Sequence, residues 1–391
     1  MLKILTLNQI ALEGLERFPR DRYEIGSAIP DPDAILVRSQ TLSEQYATQR
    51  LRCVARAGAG VNNIAVEAMT RNGIVVFNTP GANANSVKES VITAMLLASR
   101  DVIGGVGFVH GLGALDAAEL HRQVEAEKKR FRGAEIAGKT LGVVGLGAIG
   151  SLVADVGLRL GMKVLGFDPA ISVDAAWRLP SEVQRMENLY ALLSRSDYIS
   201  LHVPLLPDTA GLINDERLKA TRPGTVLINY ARDEIVDPTA VARALDAGQL
   251  SRYVSDFPAP ELIGRPDVIF TPHLGASTGE AETNCAIMAA EQIIDFLENG
   301  NIRNSVNFPS LQLDRTTGHR IAFSNYNVPR MLNSVLSVLA DNNLNVIDML
   351  NKSRDEIAYN LIDLDRPADD AVLARITAIE GVVNVRSVES K

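Results

Sequence analysis

The chain has 391 residues, 46% hydrophobic and 22% charged, enough for two to three domains at roughly 100–200 residues each. A net charge of -8 excludes a nucleic-acid partner over the whole surface, and the low aromatic content (5%) fits an α/β protein better than a β-sandwich. Cys53 and Cys285 are too few for a disulfide framework, and no Cys/His cluster has zinc-ligand spacing, so no metal is expected. The N-terminal MLKILTLN is too short for the core of a secretion signal, and no run reaches the ~18 apolar residues of a membrane span. A soluble, cytoplasmic protein is the expectation.

Short apolar runs bounded by turn formers predict buried strands at 3–7, 34–37, 53–55 and 74–77. The segment 42–51 has helical composition, and strand–helix alternation predicts a parallel, doubly wound sheet. A helix is predicted over 86–100, with Ser86 as its cap and Glu89 at the capping-box position. Glycines between Gly104 and Gly113 follow no strand and read as a flexible crossover. A second, more regular series places strands at 141–144, 163–167, 198–202, 225–229 and 268–270, with helices at 149–160, 186–195 and 239–247. A long helix over 280–297 can end at Gly300. Residues 301–318 are polar, carry Pro309 and read as a linker. The remainder, 319–391, follows a βαββαβ order, which is ferredoxin-like.

Two groups of residues carry chemistry. In Gly145-Leu-Gly147-Ala-Ile-Gly150 a strand runs into a G-x-G-x-x-G and a helix leaves it. Gly145 permits the tight turn, Gly147 a close approach to a pyrophosphate, and Gly150 close helix–strand packing. Asp168 ends the next strand about 20 residues on, where a carboxylate would accept hydrogen bonds from an adenosine ribose. Pro169-Ala170 offer no cation for a 2′-phosphate, so the cofactor expected is NAD. Further along, Arg232, Glu261 and His273 lie at or just beyond strand ends. Arg is forked to hold a carboxylate, and His exchanges protons near neutral pH, more so beside a carboxylate. Each residue taken alone also fits a surface charge or a structural histidine.

The segments RAGAGVNNI (56–64), NTPGANANSV (78–87), GKTLGVVGLGAIG (138–150), LHVPL (201–205), NYARDEIVD (229–237) and TPHLGAST (271–278) resemble, in order and spacing, the D-isomer-specific 2-hydroxyacid dehydrogenases. The resemblance implies a flavodoxin-like substrate domain and an inserted Rossmann domain, followed by the ferredoxin-like module. Its boundaries would be 1–100, 101–278 for the nucleotide domain, 279–300 for the returning helix, 301–318 for the linker and 319–391 for the last domain. By resemblance, His273 is the acid/base, Glu261 its partner, and Arg232 the residue that orients the substrate. NAD would also touch Ala148, Ile149, His202, Ala231 and Asp256. Arg38, Ser39, Arg56, Gly58, Asn83 and Lys128 would contact substrate, and the Lys128, Lys129, Arg130, Arg132 cluster reads either as a phosphate collector or as a solvated helix face. Asp233 stands where the family usually has Gly.

The implied reaction is oxidation of 3-phosphoglycerate to 3-phosphohydroxypyruvate, the entry to serine synthesis. Reduction of an unphosphorylated 2-ketoacid (hydroxypyruvate, glyoxylate or 2-oxoglutarate) is the alternative, and a non-catalytic NAD sensor a third. The last domain resembles an ACT module, which implies a serine effector at Asn327 and Asn345. Asn325 departs from the usual His there, and Pro329-Arg330 from the usual Pro-Gly. A homo-oligomer, dimer or tetramer, is implied as well.

Overall fold

The computed structural model describes residues 1–389. Its first sheet contains β1 (Leu2–Leu7), β2 (Tyr23–Gly26), β3 (Ala34–Val37), β4 (Cys53–Arg56) and β5 (Val75–Phe77). All are parallel, in the flavodoxin-like order β2-β1-β3-β4-β5. β3 and β5 are buried along their whole length, as a parallel sheet covered on both faces requires. Residues 42–51, predicted helical, form only a single 3-10 turn at Glu44–Tyr46. Leu42 bridges Ile64 and is buried, as is Leu51, so long-range contacts override the local composition.

The second sheet contains β6 (Thr140–Val144), β7 (Lys163–Phe167), β8 (Gln184–Arg185), β9 (Tyr198–Leu201), β10 (Thr225–Asn229), β11 (Leu250–Ser255) and β12 (Val268–Phe270). The order is β12-β11-β10-β9-β6-β7-β8, again parallel. The order of connection reverses between β6 and β9, and such sheets bind ligands at that point, outside the carboxyl ends of the strands. Helix Ala84–Ser99 packs here: Val87, Val91 and Met95 share a core with Leu141, Val143 and Val254. It therefore belongs with 84–278, and the expected boundary at residue 100 moves back to 83/84. The glycine-rich stretch is not a coil crossover. It forms helix Val102–Gly111, capped by Asp101, whose carboxylate accepts from Gly104 N at 3.1 Å.

The third sheet, β13 (His319–Tyr326), β14 (Val346–Arg354), β15 (Ile357–Leu364) and β16 (Val382–Glu389), is antiparallel in the order β14-β15-β13-β16. With helices Met331–Asp341 and Asp370–Thr377 it makes the expected βαββαβ unit. Both of its faces are buried. Ile321, Phe323, Ile362 and Leu364 pack on its own helices, while Ala322, Tyr359, Leu361 and Val388 join a core with Phe77 and Phe296. Residues 319–389 thus form one compact unit with 1–83 and helix Gly279–Asn299 rather than a separate body. The expected linker is likewise packed, with Ile302, Phe308 and Leu311 buried and Ile302 bridged to Leu311. Its apolar residues are too irregularly spaced to register as a period. No single helix among the described residues is long and apolar enough to cross a membrane.

Candidate active site

β6 runs straight into the glycine loop. Gly145 has φ +89°, and a Cβ there would lie 2.6 Å from the His202 carbonyl oxygen, so only glycine fits. A Cβ on Gly150 would overlap the Gly145 carbonyl oxygen. Gly147, in contrast, faces open space and is the N-cap of helix Ala148–Arg159, with no side chain closing its first turn. Unsatisfied N–H groups and the helix dipole therefore face a site open to a pyrophosphate. Ala148 is exposed there and Ile149 half-buried. Asp168 follows β7: its Oδ2 accepts from Leu146 N at 2.8 Å and its Oδ1 from Ala170 N at 2.9 Å. Each oxygen keeps acceptor capacity for a ribose hydroxyl. The residues present fit a dinucleotide.

His202 follows β9, its N–H bonded to the Val144 carbonyl (2.7 Å) and its Nε2 2.8 Å from Ser200 Oγ. Nδ1 is buried without a partner. Burial pushes its pKa down to about 3, so the imidazole is neutral. Ala231 is buried, its N–H donating to Asn229 Oδ1 at 3.0 Å. Asn229 Nδ2 donates to the Arg232 carbonyl at 2.8 Å, and this turn at the end of β10 carries Arg232, in extended backbone, into the loop. Arg232 is half-buried. Asp233 beside it is exposed, and its hydrogen bond to Glu234 pushes the Glu234 carboxyl up.

Asp256, just past β11, is 2% exposed and draws three strand ends together. Its N–H donates to the Asn229 carbonyl (3.1 Å), and its own carbonyl accepts from His273 N (3.0 Å). Its Oδ1 accepts from Thr271 Oγ1 (2.6 Å) and Leu274 N (2.7 Å), its Oδ2 from Gly275 N (2.7 Å). His273 sits on this turn in the left-handed region, φ +55°, exposed and edge-on to Phe257 with ring centroids 5.0 Å apart. From the other side, Ser86 Oγ and Ser90 Oγ donate to the Gly275 carbonyl at 3.0 and 3.3 Å. A Cβ on Gly275 would lie 2.9 Å from Asp256 Oδ2 and from the Tyr230 ring, so the turn closes only around glycine. The sequence reading missed Ser86 and Ser90 in this role. Gly275, so close after the histidine, is the one signal that pointed to a tight contact.

The expected Glu261–His273 pair is not formed. Glu261 lies exposed on the turn Pro260–Leu262, anchored by buried Leu262, and no hydrogen bond or ion pair joins it to His273 among the described residues. Lys128 is not a free cation either: it pairs with Glu125, and Arg130 with Glu127 at 2.8 Å, on exposed helical surface. In the first unit, Arg38, just past β3, pairs with Glu282 at 2.6 Å. Ser39 N and Oγ both face Asn8 Oδ1. Arg56 donates to the carbonyls of Arg38 (2.9 Å) and Gly60 (2.6 Å), and a Cβ on Gly58 would lie 2.7 Å from Arg56 Nη1. Asn83 is half-buried at the end of that unit. Asn327 and Asn345 are exposed; Asn327 Nδ2 reaches the Asp355 carbonyl at 3.4 Å and Asn345 N the Asp365 carboxylate at 3.0 Å. Among the described residues, no group of three or more His, Cys, Asp or Glu side chains is placed to hold a metal ion.

Residues 110–275 match the model of the D-isomer specific 2-hydroxyacid dehydrogenase NAD binding domain. The chain is 39% identical over 300 residues to a D-3-phosphoglycerate dehydrogenase of Synechocystis sp., covering 74% of this chain and 51% of that protein. To the Archaeoglobus fulgidus protein of the same name it is 36% identical over 301 residues, 74% of this chain and 54% of the other. It spans about half the length of the curated relatives it matches. Among solved structures, NAD+-bound 3-phosphoglycerate dehydrogenase of Entamoeba histolytica superposes with TM-score 0.61 at 27% identity, covering 78% of this chain and 98% of that one. D-lactate dehydrogenase of Aquifex aeolicus, complexed with NAD and lactic acid, gives TM-score 0.59 at 25% identity over 79% and 100%. Residues 110–275 are thus an NAD-binding domain of the D-isomer specific 2-hydroxyacid dehydrogenase type.

Proposed function

We propose that the chain is an NAD-dependent dehydrogenase that oxidises 3-phosphoglycerate to 3-phosphohydroxypyruvate. Bound NAD supplies the hydride acceptor. His273 takes the proton of the substrate hydroxyl on its imidazole as the C–H bond at the same carbon is broken. Arg232 holds the adjacent carboxylate through its fork of N–H donors; Glu261, which does not pair with His273 in this structure, would have to swing onto the imidazolium to stabilise it. The observation that carries this reading is the His273 turn, locked to the ends of β10 and β11 by Asp256, in a domain whose glycine loop is open to a pyrophosphate.

Arg38, Ser39, Arg56, Gly58, Asn83 and Lys128 remain the proposed substrate contacts. The carboxylates already paired with Arg38 and Lys128 favour the second reading, a reductase of unphosphorylated 2-ketoacids. NADH oxidation against 3-phosphohydroxypyruvate, hydroxypyruvate, glyoxylate and 2-oxoglutarate decides between them. Preference for the phosphorylated acid supports the first reading; equal or faster turnover of another supports the second. Serine added to the same assay tests Asn327 and Asn345: inhibition supports an effector there, and a flat curve removes it. A homo-oligomer is part of the proposal, supported by the exposed Val102, Ile103, Val106 and Val109. Sedimentation of the full chain as a monomer would remove it.

A further inference from the structure

Strands β13 and β16 alternate their side chains between two faces. On one face Ala322 stands opposite Arg386 and Ser324 opposite Asn384. With Arg52, Gly73 and Phe296, these residues line a small, partly open pocket inside the first compact unit. Ser324 is 2% exposed, and its Oγ is buried with no hydrogen-bond partner. An orphan hydroxyl of this kind loses its hydration without a replacement bond, so buried polar atoms are rarely left so. It lines that pocket.

The charges in that space are unbalanced. The Arg386 guanidinium lies 4.6 Å from the centroid of the Phe296 ring and donates to the carbonyls of Phe296 (2.6 Å) and Leu297 (3.2 Å). Carbonyl oxygens satisfy its N–H groups without cancelling its charge. Arg52 lies 3.7 Å from Asp33, but that carboxylate is shared with Arg50 at 3.0 Å. Burial, and next the charge of Arg386, pull the pKa of Arg52 down, a mark of two cations facing the same volume. Two guanidinium groups, a hydroxyl and an amide are the donor set that recognises an oxyanion.

We propose that this cavity is a binding site for a small anion of the phosphate or carboxylate class, held by Arg52 and Arg386 with Ser324 and Asn384 as neutral donors. Occupancy ties the residue that leads into β4 to the antiparallel sheet, and stabilises the folded chain by linkage. The test is thermal unfolding of the full-length chain titrated with inorganic phosphate, and separately with acetate, at ionic strength fixed with chloride. The expected result is a saturable rise in Tm with one or both anions, the responsive anion naming the ligand's class. Arg52→Gln should weaken that response about tenfold and Ser324→Ala several-fold, by loss of a charge-assisted and a neutral hydrogen bond respectively. Ser324→Ala removes only a hydroxyl and should leave the fold intact. Arg232→Gln, in the second unit, should respond as the parent chain does. An absent response in the parent chain, an undiminished one in both cavity variants, or its loss in Arg232→Gln alone would overturn the proposal.

Discussion

Asp256 spends its whole carboxylate on the turn that carries His273, accepting from Thr271 Oγ1, Leu274 N and Gly275 N. Asp256→Asn replaces one of those acceptor oxygens with a donor facing a donor. A loss of about 1–3 kcal/mol is expected, measured by urea unfolding; unchanged stability would show that the turn holds without these bonds. The sequence displays Asp256 as a carboxylate beyond a strand, but its partners are main-chain groups set by where β11 and β12 end, and these cannot be read locally. Arg330 is the opposite case. Its position in place of a glycine is visible in the sequence, and the structure puts it at φ +74°, at the N-cap of helix Met331–Asp341. Arg330→Gly should gain up to about 1 kcal/mol by releasing left-handed strain, less the added freedom of the unfolded chain. A destabilised variant would mean that the Arg330 side chain contributes more than its backbone loses.

Among the elements, β13 and β15 carry the largest buried electrostatic commitment. Arg320 and Asp363 are fully buried side chains joined at 2.5 and 2.9 Å, and Thr316 adds N–H and O–H donors to the same carboxylate. Burial alone would raise the pKa of Asp363, but Arg320 and Thr316 outweigh it and hold the carboxyl below its ordinary range. The folded-state pKa is thus depressed, so the pair's contribution is complete above the unfolded value of about 4 and is lost as pH falls below it. Arg320→Met leaves Asp363 buried and uncompensated and should cost roughly 3–5 kcal/mol at neutral pH. The measurement is chemical unfolding at neutral pH and in acid, where the gap between parent and variant should narrow; a gap constant with pH would contradict the assignment. Element by element, the apolar cores of β3, β5 and β10 are legible because burial on both faces demands unbroken hydrophobic runs. β11, reading Leu-Ser-Arg-Tyr-Val-Ser, and the two-residue β8 are not, since neighbouring strands rather than their own pattern hold them in the sheet.

At the scale of the molecule, the positions of the glycine loop after β6, of Asp168 after β7 and of Arg232 and His273 past β10 and β12 were legible, because each rests on short-range geometry, whereas the place of Glu261 relative to His273 was not. The break at 278/279 and the returning helix came only from the resemblance, and the packing of 301–389 into the same unit was not legible. Residues 279–389 return to the sheet of 1–83 through contacts such as Phe77 with Phe296, ring centroids 5.6 Å apart, and Tyr359 with Phe308 at 6.2 Å. Nothing in a local window signals contacts between residues so distant in sequence. The second unit, continuous from 84 to 278, holds both the glycine loop and His273. The most direct test is therefore His273→Asn in the full chain, with NAD affinity and hydride transfer to 3-phosphohydroxypyruvate measured side by side. The expected result is unchanged NAD affinity and a loss in transfer of at least about a hundredfold, the effect of removing a general acid/base. Transfer at the parent rate would remove His273 from the chemistry and contradict the proposed mechanism.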